Sequence, residues 1–271
     1  MSAEKIIADF KKKNVKPLYW LEGEEDYYID LVMDYAEKNI LTTDEASFNL
    51  TIFYGKDAEW ASVINACRRY PMFAERQVVL LKEAQHMKEI DKLEGYFENP
   101  LASTIFIVGY KGKGYDKRTK LYKVIKQQAE ILVSEKLKDY KVGEWIKEFV
   151  TSKEFTISPK GVVLLEEHIG NDLNRIVNEL EKLSLNLKGK KNISEDDIEN
   201  YVGISKEYNV FELQAAIAKK DLAKALTIIQ YFDANPKAGP IQMVLPALYA
   251  SFSKIYTVFG MVDKSEAALK P

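Results

Sequence analysis

The sequence predicts an α/β domain followed by two all-helical regions. Five strand-like runs, at 18–21, 48–53, 78–81, 104–108 and 131–133, start 30, 30, 26 and 27 residues apart. That spacing is about one strand plus its crossover helix. The runs are apolar on successive residues rather than alternating, as parallel strands covered on both faces require. After Lys136 the apolar spacing changes to the helical period and keeps it.

Between the first runs, Tyr28, Leu31, Val32, Tyr35 and Ala36, then Trp60, Val63, Ile64 and Cys67, form helical stripes. Residues 1–137 therefore read as a three-layer α/β domain. In the next region Trp145, Ile146, Phe149 and Val150 mark a helix. Ser158 and Pro159 supply an N-cap and a proline at the first helical position, and that helix runs through Val162, Leu165 and Ile169 to Gly170. Leu173, Ile176, Val177, Leu180, Leu183 and Leu187 form a further stripe. Ser194 with Asp197 resembles a capping box with Asp in place of Glu, opening a short helix that ends near Gly203. These elements make a compact helical domain over 138–204. A third domain, 205–271, begins at Glu207 with Val210, Leu213 and Ile217. It continues with Leu222, Ala225, Leu226 and Ile229, a Pro-containing loop at 235–240 and a helix over 243–258. From Lys264 a helix-like stretch stops without a cap, so this domain is expected to be truncated.

Composition narrows the function. The 271 residues carry 39 basic and 41 acidic side chains, a formal charge of −2, which excludes a phosphate-coating protein. Of the basic residues 34 are Lys and five are Arg, leaving few planar forks for bidentate recognition. One cysteine, Cys67, excludes an internal disulfide, and with His86 and His168 it cannot complete a four-ligand zinc site. No signal-peptide apolar segment opens the chain, and no apolar run exceeds four residues, far short of the roughly 20 that span a bilayer. A cytoplasmic protein without membrane attachment is the expectation.

An α/β domain with a helical lid is the outline of a nucleotide hydrolase, so the phosphate loop is the first test. A P-loop wraps phosphates with glycine amides and neutralises them with Lys. Here only Gly23 fits. Ile29 stands at the Lys position, Asp30 at the metal-binding hydroxyl position, and Glu24, Glu25 and Asp26 place anions where phosphates would sit. Those acids also suit a first helical turn. After the third run come Lys82 and Glu83, so the metal-holding acid is missing as well. Cys67 falls in a helical stripe, as a core thiol would. No catalytic constellation, cofactor site or metal site is expected.

Two segments read as binding surfaces. Arg68 to Gln77 joins a helix, ended by Pro71, to the third strand, and places Met72 and Phe73 in a connection where large apolar side chains are scarce. A thioether beside an aromatic ring can plug a partner's apolar pocket, or both can tuck under the helix as a loop anchor. The second segment, 110–120, is basic, glycine-loosened and interleaved with Tyr110 and Tyr115. Its Lys111, Lys113, Lys117, Arg118 and Lys120 could meet a phosphate backbone, or form a solvated loop.

Taken together, several segments resemble one family, the delta subunit of the bacterial DNA polymerase III clamp loader. They are the 18–23 strand with its decayed P-loop, Tyr70-Pro-Met-Phe-Ala-Glu-Arg-Gln-Val-Val-Leu-Leu81, the stretch 169–183 and the stretch 209–217. The resemblance implies an AAA+-like parallel-sheet domain with a degenerate P-loop, a small helical lid and a partial helical collar. It implies a subunit without ATPase activity, a non-catalytic part of a DNA-directed DNA polymerase holoenzyme. Such a subunit binds the sliding clamp (the beta subunit) and opens its ring for loading onto primed DNA. The implied partners are ATP-binding clamp-loader subunits and delta-prime in a hetero-pentamer, with primer–template DNA inside the assembly. Met72 and Phe73 match the family's clamp-inserting pair, with Tyr70 and Pro71 beside them. Against the family pattern, the collar is short, and the lid offers Asn174 then Arg175 where a sensor arginine would be sought. The alternative function is a DNA-binding AAA+-like accessory protein that uses the 110–120 loop.

Overall fold

The computed structural model describes residues 1–187, 189–201, 210–234, 236 and 239–260. The chain divides into two compact units, Met1–Val202 and Gly203–Pro271. The first opens with α1 (Ala3–Lys11), β1 (Leu18–Gly23), α2 (Asp26–Asn39), α3 (Thr43–Asn49), β2 (Leu50–Tyr54), α4 (Trp60–Cys67) and β3 (Gln77–Lys82). It continues with α5 (Glu94–Glu98), β4 (Thr104–Lys111), α6 (Lys120–Gln128) and β5 (Glu130–Ser134). These five strands form one sheet, all pairs parallel, in the order β2-β3-β4-β1-β5.

Both faces of the three central strands, β3, β4 and β1, are covered, which is why their runs are nearly continuously apolar. Tyr19, Leu21, Val78, Leu80, Ile105 and Ile107 pack on one face against Ile6 and Phe10 of α1 and Ile29, Val32 and Met33 of α2. Leu18, Trp20, Val79, Leu81, Phe106 and Val108 point the other way, onto Val63 and Cys67 of α4, Phe97 of α5 and Ile125 of α6. Each central strand thus alternates its faces while burying both, whereas the edge strands leave Tyr54 and Val133 exposed.

Within the same unit follow α7 (Val142–Ser152), β6 (Thr156–Ile157), α8 (Pro159–Ile169), α9 (Leu173–Asn186), β7 (Asn192–Ile193) and α10 (Glu195–Tyr201). The predicted caps form. Ser158 accepts from Gly161 N at 3.0 Å, Gly170 ends α8 with φ 73°, and Ser194 exchanges bonds with Asp197 across the start of α10. Ile146, Leu165, Ile176, Leu180 and Leu183 make this region's core, and Tyr27 and Tyr28 of α2 pack against it. Its small parallel β6–β7 pair was not expected from the helical periodicity.

The second unit holds α11 (Val210–Ala218), α12 (Leu222–Ala234) and α13 (Ile241–Gly260), with Leu213, Ala216, Ile228 and Phe232 at its core. Phe211, Leu222, Met243, Tyr249 and Tyr256 are exposed. Glu207, Gly203 and the stretch from Lys264 lie outside the described residues.

The chain makes a close backbone approach at Gly23, where β1 ends with φ 139°. A Cβ there would stand 1.9 Å from the Ser134 carbonyl oxygen of β5. Gly23→Ala should therefore cost at least about 2 kcal/mol of unfolding free energy in urea titration. An unchanged midpoint would show that this approach can widen.

Candidate functional site

The connection from α4 to β3 begins with an unusual helix end. α4 leaves its last carbonyls without helical partners, and buried side chains from the sheet take them up. The Gln77 amide Nε2 reaches the carbonyl oxygens of Ala66 (3.1 Å), Cys67 (3.4 Å) and Arg69, and Thr104 Oγ1 (2.8 Å). Thr104 Oγ1 in turn donates to Cys67 O at 2.8 Å, and Tyr96 OH donates to the same carbonyl at 3.3 Å. This corrects the expectation that Pro71 ends the helix: the last helical residue is Cys67, and the cap is built from Gln77, Thr104 and Tyr96. Cys67 itself is fully buried, and burial pushes its thiol well above the usual range, as for a packing residue.

From that cap the chain leaves the protein surface. Tyr70 and Met72 are 76 % and 53 % exposed, Pro71 lies between them half-buried, and Phe73 is 93 % exposed. Met72 is held by its backbone. Its N–H donates to Asn49 Oδ1 at 2.7 Å and its carbonyl accepts from Asn49 Nδ2 at 2.9 Å. Phe73 then adopts φ 56°, the left-handed region, where a bulky side chain is strained by about 1–2 kcal/mol. Of the two placements open to the sequence, the anchor tucked beneath the helix is not adopted by Phe73.

Two neighbours escaped the sequence reading. The apolar run places Phe48 and Asn49 in the second strand, yet both belong to α3, and β2 starts at Leu50. The signal was present: Thr42 and Glu45 form a capping box, with Glu45 Nʜ donating to Thr42 Oγ1 and Thr42 N–H to Glu45 Oε2. Phe48 is 65 % exposed on the residue next to the one that holds Met72.

Gln77 and Thr104 open their strands, so this loop lies at the N-terminal edge of the sheet. Gly23 closes β1 at the opposite edge, where phosphate loops of α/β proteins lie. There the amides of Glu24 and Glu25 donate to the Ser134 carbonyl at 2.8 and 3.2 Å, and Ser134 Oγ donates back to Glu25 O at 2.7 Å. Lys82, at the position after the third run, pairs with Glu37 at 2.6 Å. Burial raises the Glu25 carboxyl above its usual range, a shift opposed by Lys136 at 3.6 Å. Glu22, also missed in the sequence, is fully buried and accepts from Trp20 Nε1 at 2.8 Å and Tyr115 N at 3.0 Å.

The basic segment is partly spent inside the protein. Lys111 pairs with Asp30 at 2.6 Å, and Arg118 forks onto Asp116, whose carboxyl it holds down at about 2. Lys113, Lys117 and Lys120 are exposed. The interleaved aromatics belong to the core: Tyr110 and Tyr115 are buried, packed on Trp20 at 6.1 and 5.3 Å between ring centroids. Among the described residues no group of His, Cys, Asp and Glu is placed to hold a metal ion, and no helix is long and apolar enough to cross a membrane.

Because Phe73 is strained and almost fully exposed, its side chain contributes little to folding. Phe73→Gly should leave unfolding free energy unchanged or raise it by up to about 1 kcal/mol, as relief of strain competes with glycine's entropy. A loss larger than about 1 kcal/mol in chemical denaturation would identify Phe73 as a packing residue instead.

Comparison with known proteins bears on the same region. Residues 19–135 match the family model described as DNA polymerase III, delta subunit. The DNA polymerase III subunit delta of Bacillus subtilis is 25 % identical over 233 residues, spanning 82 % of this chain and 67 % of that protein. Among solved structures, the Bacillus subtilis DNA clamp loader delta protein YqeN superposes with a TM-score of 0.67 at 21 % identity. That match covers 98 % of this chain and 82 % of the other. Residues 19–135 are thus similar to the DNA polymerase III delta subunit, and the chain shares the fold of the YqeN protein.

Proposed function

We propose that this chain is the clamp-gripping subunit of a clamp loader, which binds a sliding clamp and holds its ring open for loading onto primed DNA. The observation that carries the reading is Phe73, strained and exposed beside Met72 on a buried, fully bonded support. Strain that serves no packing purpose is expected where a side chain is kept ready for a partner. An apolar pair presented this way fits a hydrophobic pocket on the clamp, with Tyr70 and Pro71 at the margin.

No bond is made or broken. The subunit acts by binding the opened clamp more tightly than the closed one, and reversing a 1:99 population needs a differential affinity of about 10⁴. The occupied amides of Glu24 and Glu25 and the surrounding acids support a subunit that does not itself take ATP. ATP-binding subunits, with delta-prime, would control access to the grip within a hetero-pentamer.

The test is capture of the purified clamp by surface plasmon resonance. Met72→Ala with Phe73→Ala should weaken binding between about 30-fold and about 1,000-fold, with circular dichroism unchanged. Unaltered affinity would overturn the reading.

Contact with primer–template DNA would be a subsidiary role of Lys113, Lys117 and Lys120, the exposed lysines of the basic segment. Replacing all three with Ala should reduce the salt slope of DNA binding by the assembled loader by about 3. Strong DNA binding by the isolated chain would instead favour a free-standing DNA-binding protein.

A further inference from the structure

We propose that Asn49 is the positioning residue of the Met72–Phe73 pair, an inference that rests on the reading of that pair as the clamp grip. Asn49 is 2 % exposed, and its amide makes three hydrogen bonds. One, from Nδ2 to Glu45 O at 3.0 Å, lies within its own helix and accounts for an ordinary helix-end role. The other two cross 23 positions of sequence to grip a single residue, Met72, by both its N–H and its carbonyl. One planar group thus does for Met72 what a neighbouring strand would do, in a connection that has no strand beside it.

The consequence falls on the next residue. A left-handed Phe73 relaxes to an ordinary backbone conformation unless its neighbours are fixed, and that relaxation re-aims its side chain. Gln77 fixes the helix end before the loop, and Asn49 fixes Met72 directly ahead of Phe73. Asn49 therefore sustains the exposed orientation. The side-chain type matters: two carbonyls surround Nδ2 and one N–H faces Oδ1, so Asp would set oxygens against the Glu45 and Met72 carbonyls.

The experiment pairs clamp binding with amide hydrogen exchange on the full chain. Asn49→Ala removes both bonds to Met72. Asn49→Ser is the second variant, because a short hydroxyl can return to its own helix without reaching across to Met72. Under conditions where circular dichroism shows the variants folded, clamp affinity should fall about tenfold, the scale of ordering one residue on binding. Exchange at Met72 and Phe73 should quicken in the free chain. Adding either substitution to Met72→Ala with Phe73→Ala should cause no further loss of affinity.

Affinity within about twofold of the native chain in both Asn49 variants, while Met72→Ala with Phe73→Ala weakens capture at least about 30-fold, would overturn the positioning role and leave the grip intact. Additive losses in the combined variant would overturn it too, since Asn49 would then act elsewhere. Unchanged capture when Met72 and Phe73 are themselves replaced would remove the grip and this inference with it.

Discussion

The side-chain amide of Gln77 ties three parts of the molecule together. It meets the closing carbonyls of α4, it begins β3, and it bonds Thr104 at the start of β4. A buried carbonyl left without a partner costs about 1–3 kcal/mol, and Gln77 shares the capping of α4 with Thr104 and Tyr96. With that helix end fixed, the chain has only a few residues in which to turn back to β3. The turn is made outward, with its apolar side chains in solvent. Two-sided burial of the sheet supplies stability, and the cap converts it into a defined loop.

The two edges of the sheet have opposite characters. At the C-terminal edge the backbone amides following β1 are taken by Ser134, and the lysines pair with carboxylates of α2. Those backbone and lysine groups are satisfied from within, while Glu25 Oε2 is buried without a hydrogen-bond partner. At the N-terminal edge Phe73 is held in a strained conformation and Tyr70, Met72 and Phe48 stand exposed. That contrast in exposed apolar surface is what the proposed clamp grip draws on.

Much of the fold was legible because the strongest sequence signals and the strongest physical forces coincide. The strands at 18–23, 77–82 and 104–111 carry apolar side chains on both faces, and their spacing reveals the crossover helices. The caps at Ser158 and Ser194 were readable from residue type alone. What escaped depends on partners far away in sequence. α3 hides Phe48 and Asn49 against a strand-like run, and the two-residue β6–β7 pair has no periodicity to detect. Glu22 looks like any strand-end acid until Trp20 and Tyr115 close over it. The candidate site was found through its apolar pair, but its support could not be. Tyr-Pro-Met-Phe carries no glycine or asparagine to announce a left-handed residue, and Gln77 and Asn49 reach across the sequence to make their bonds.

The groups that hold the exposed pair are Gln77, Thr104, Tyr96 and Asn49, all neutral at physiological pH. Only the Tyr96 phenol titrates, and burial lifts it to about 12. Neutral hydrogen bonds sheltered from water respond little to ionic strength or to protons, unlike paired surface charges. The loop's shape is therefore a constant of the molecule across the range a cell experiences. On the proposed function, control over when the loop engages would then belong to whatever covers or uncovers it, making the chain a fixed tool whose timing is set by its surroundings.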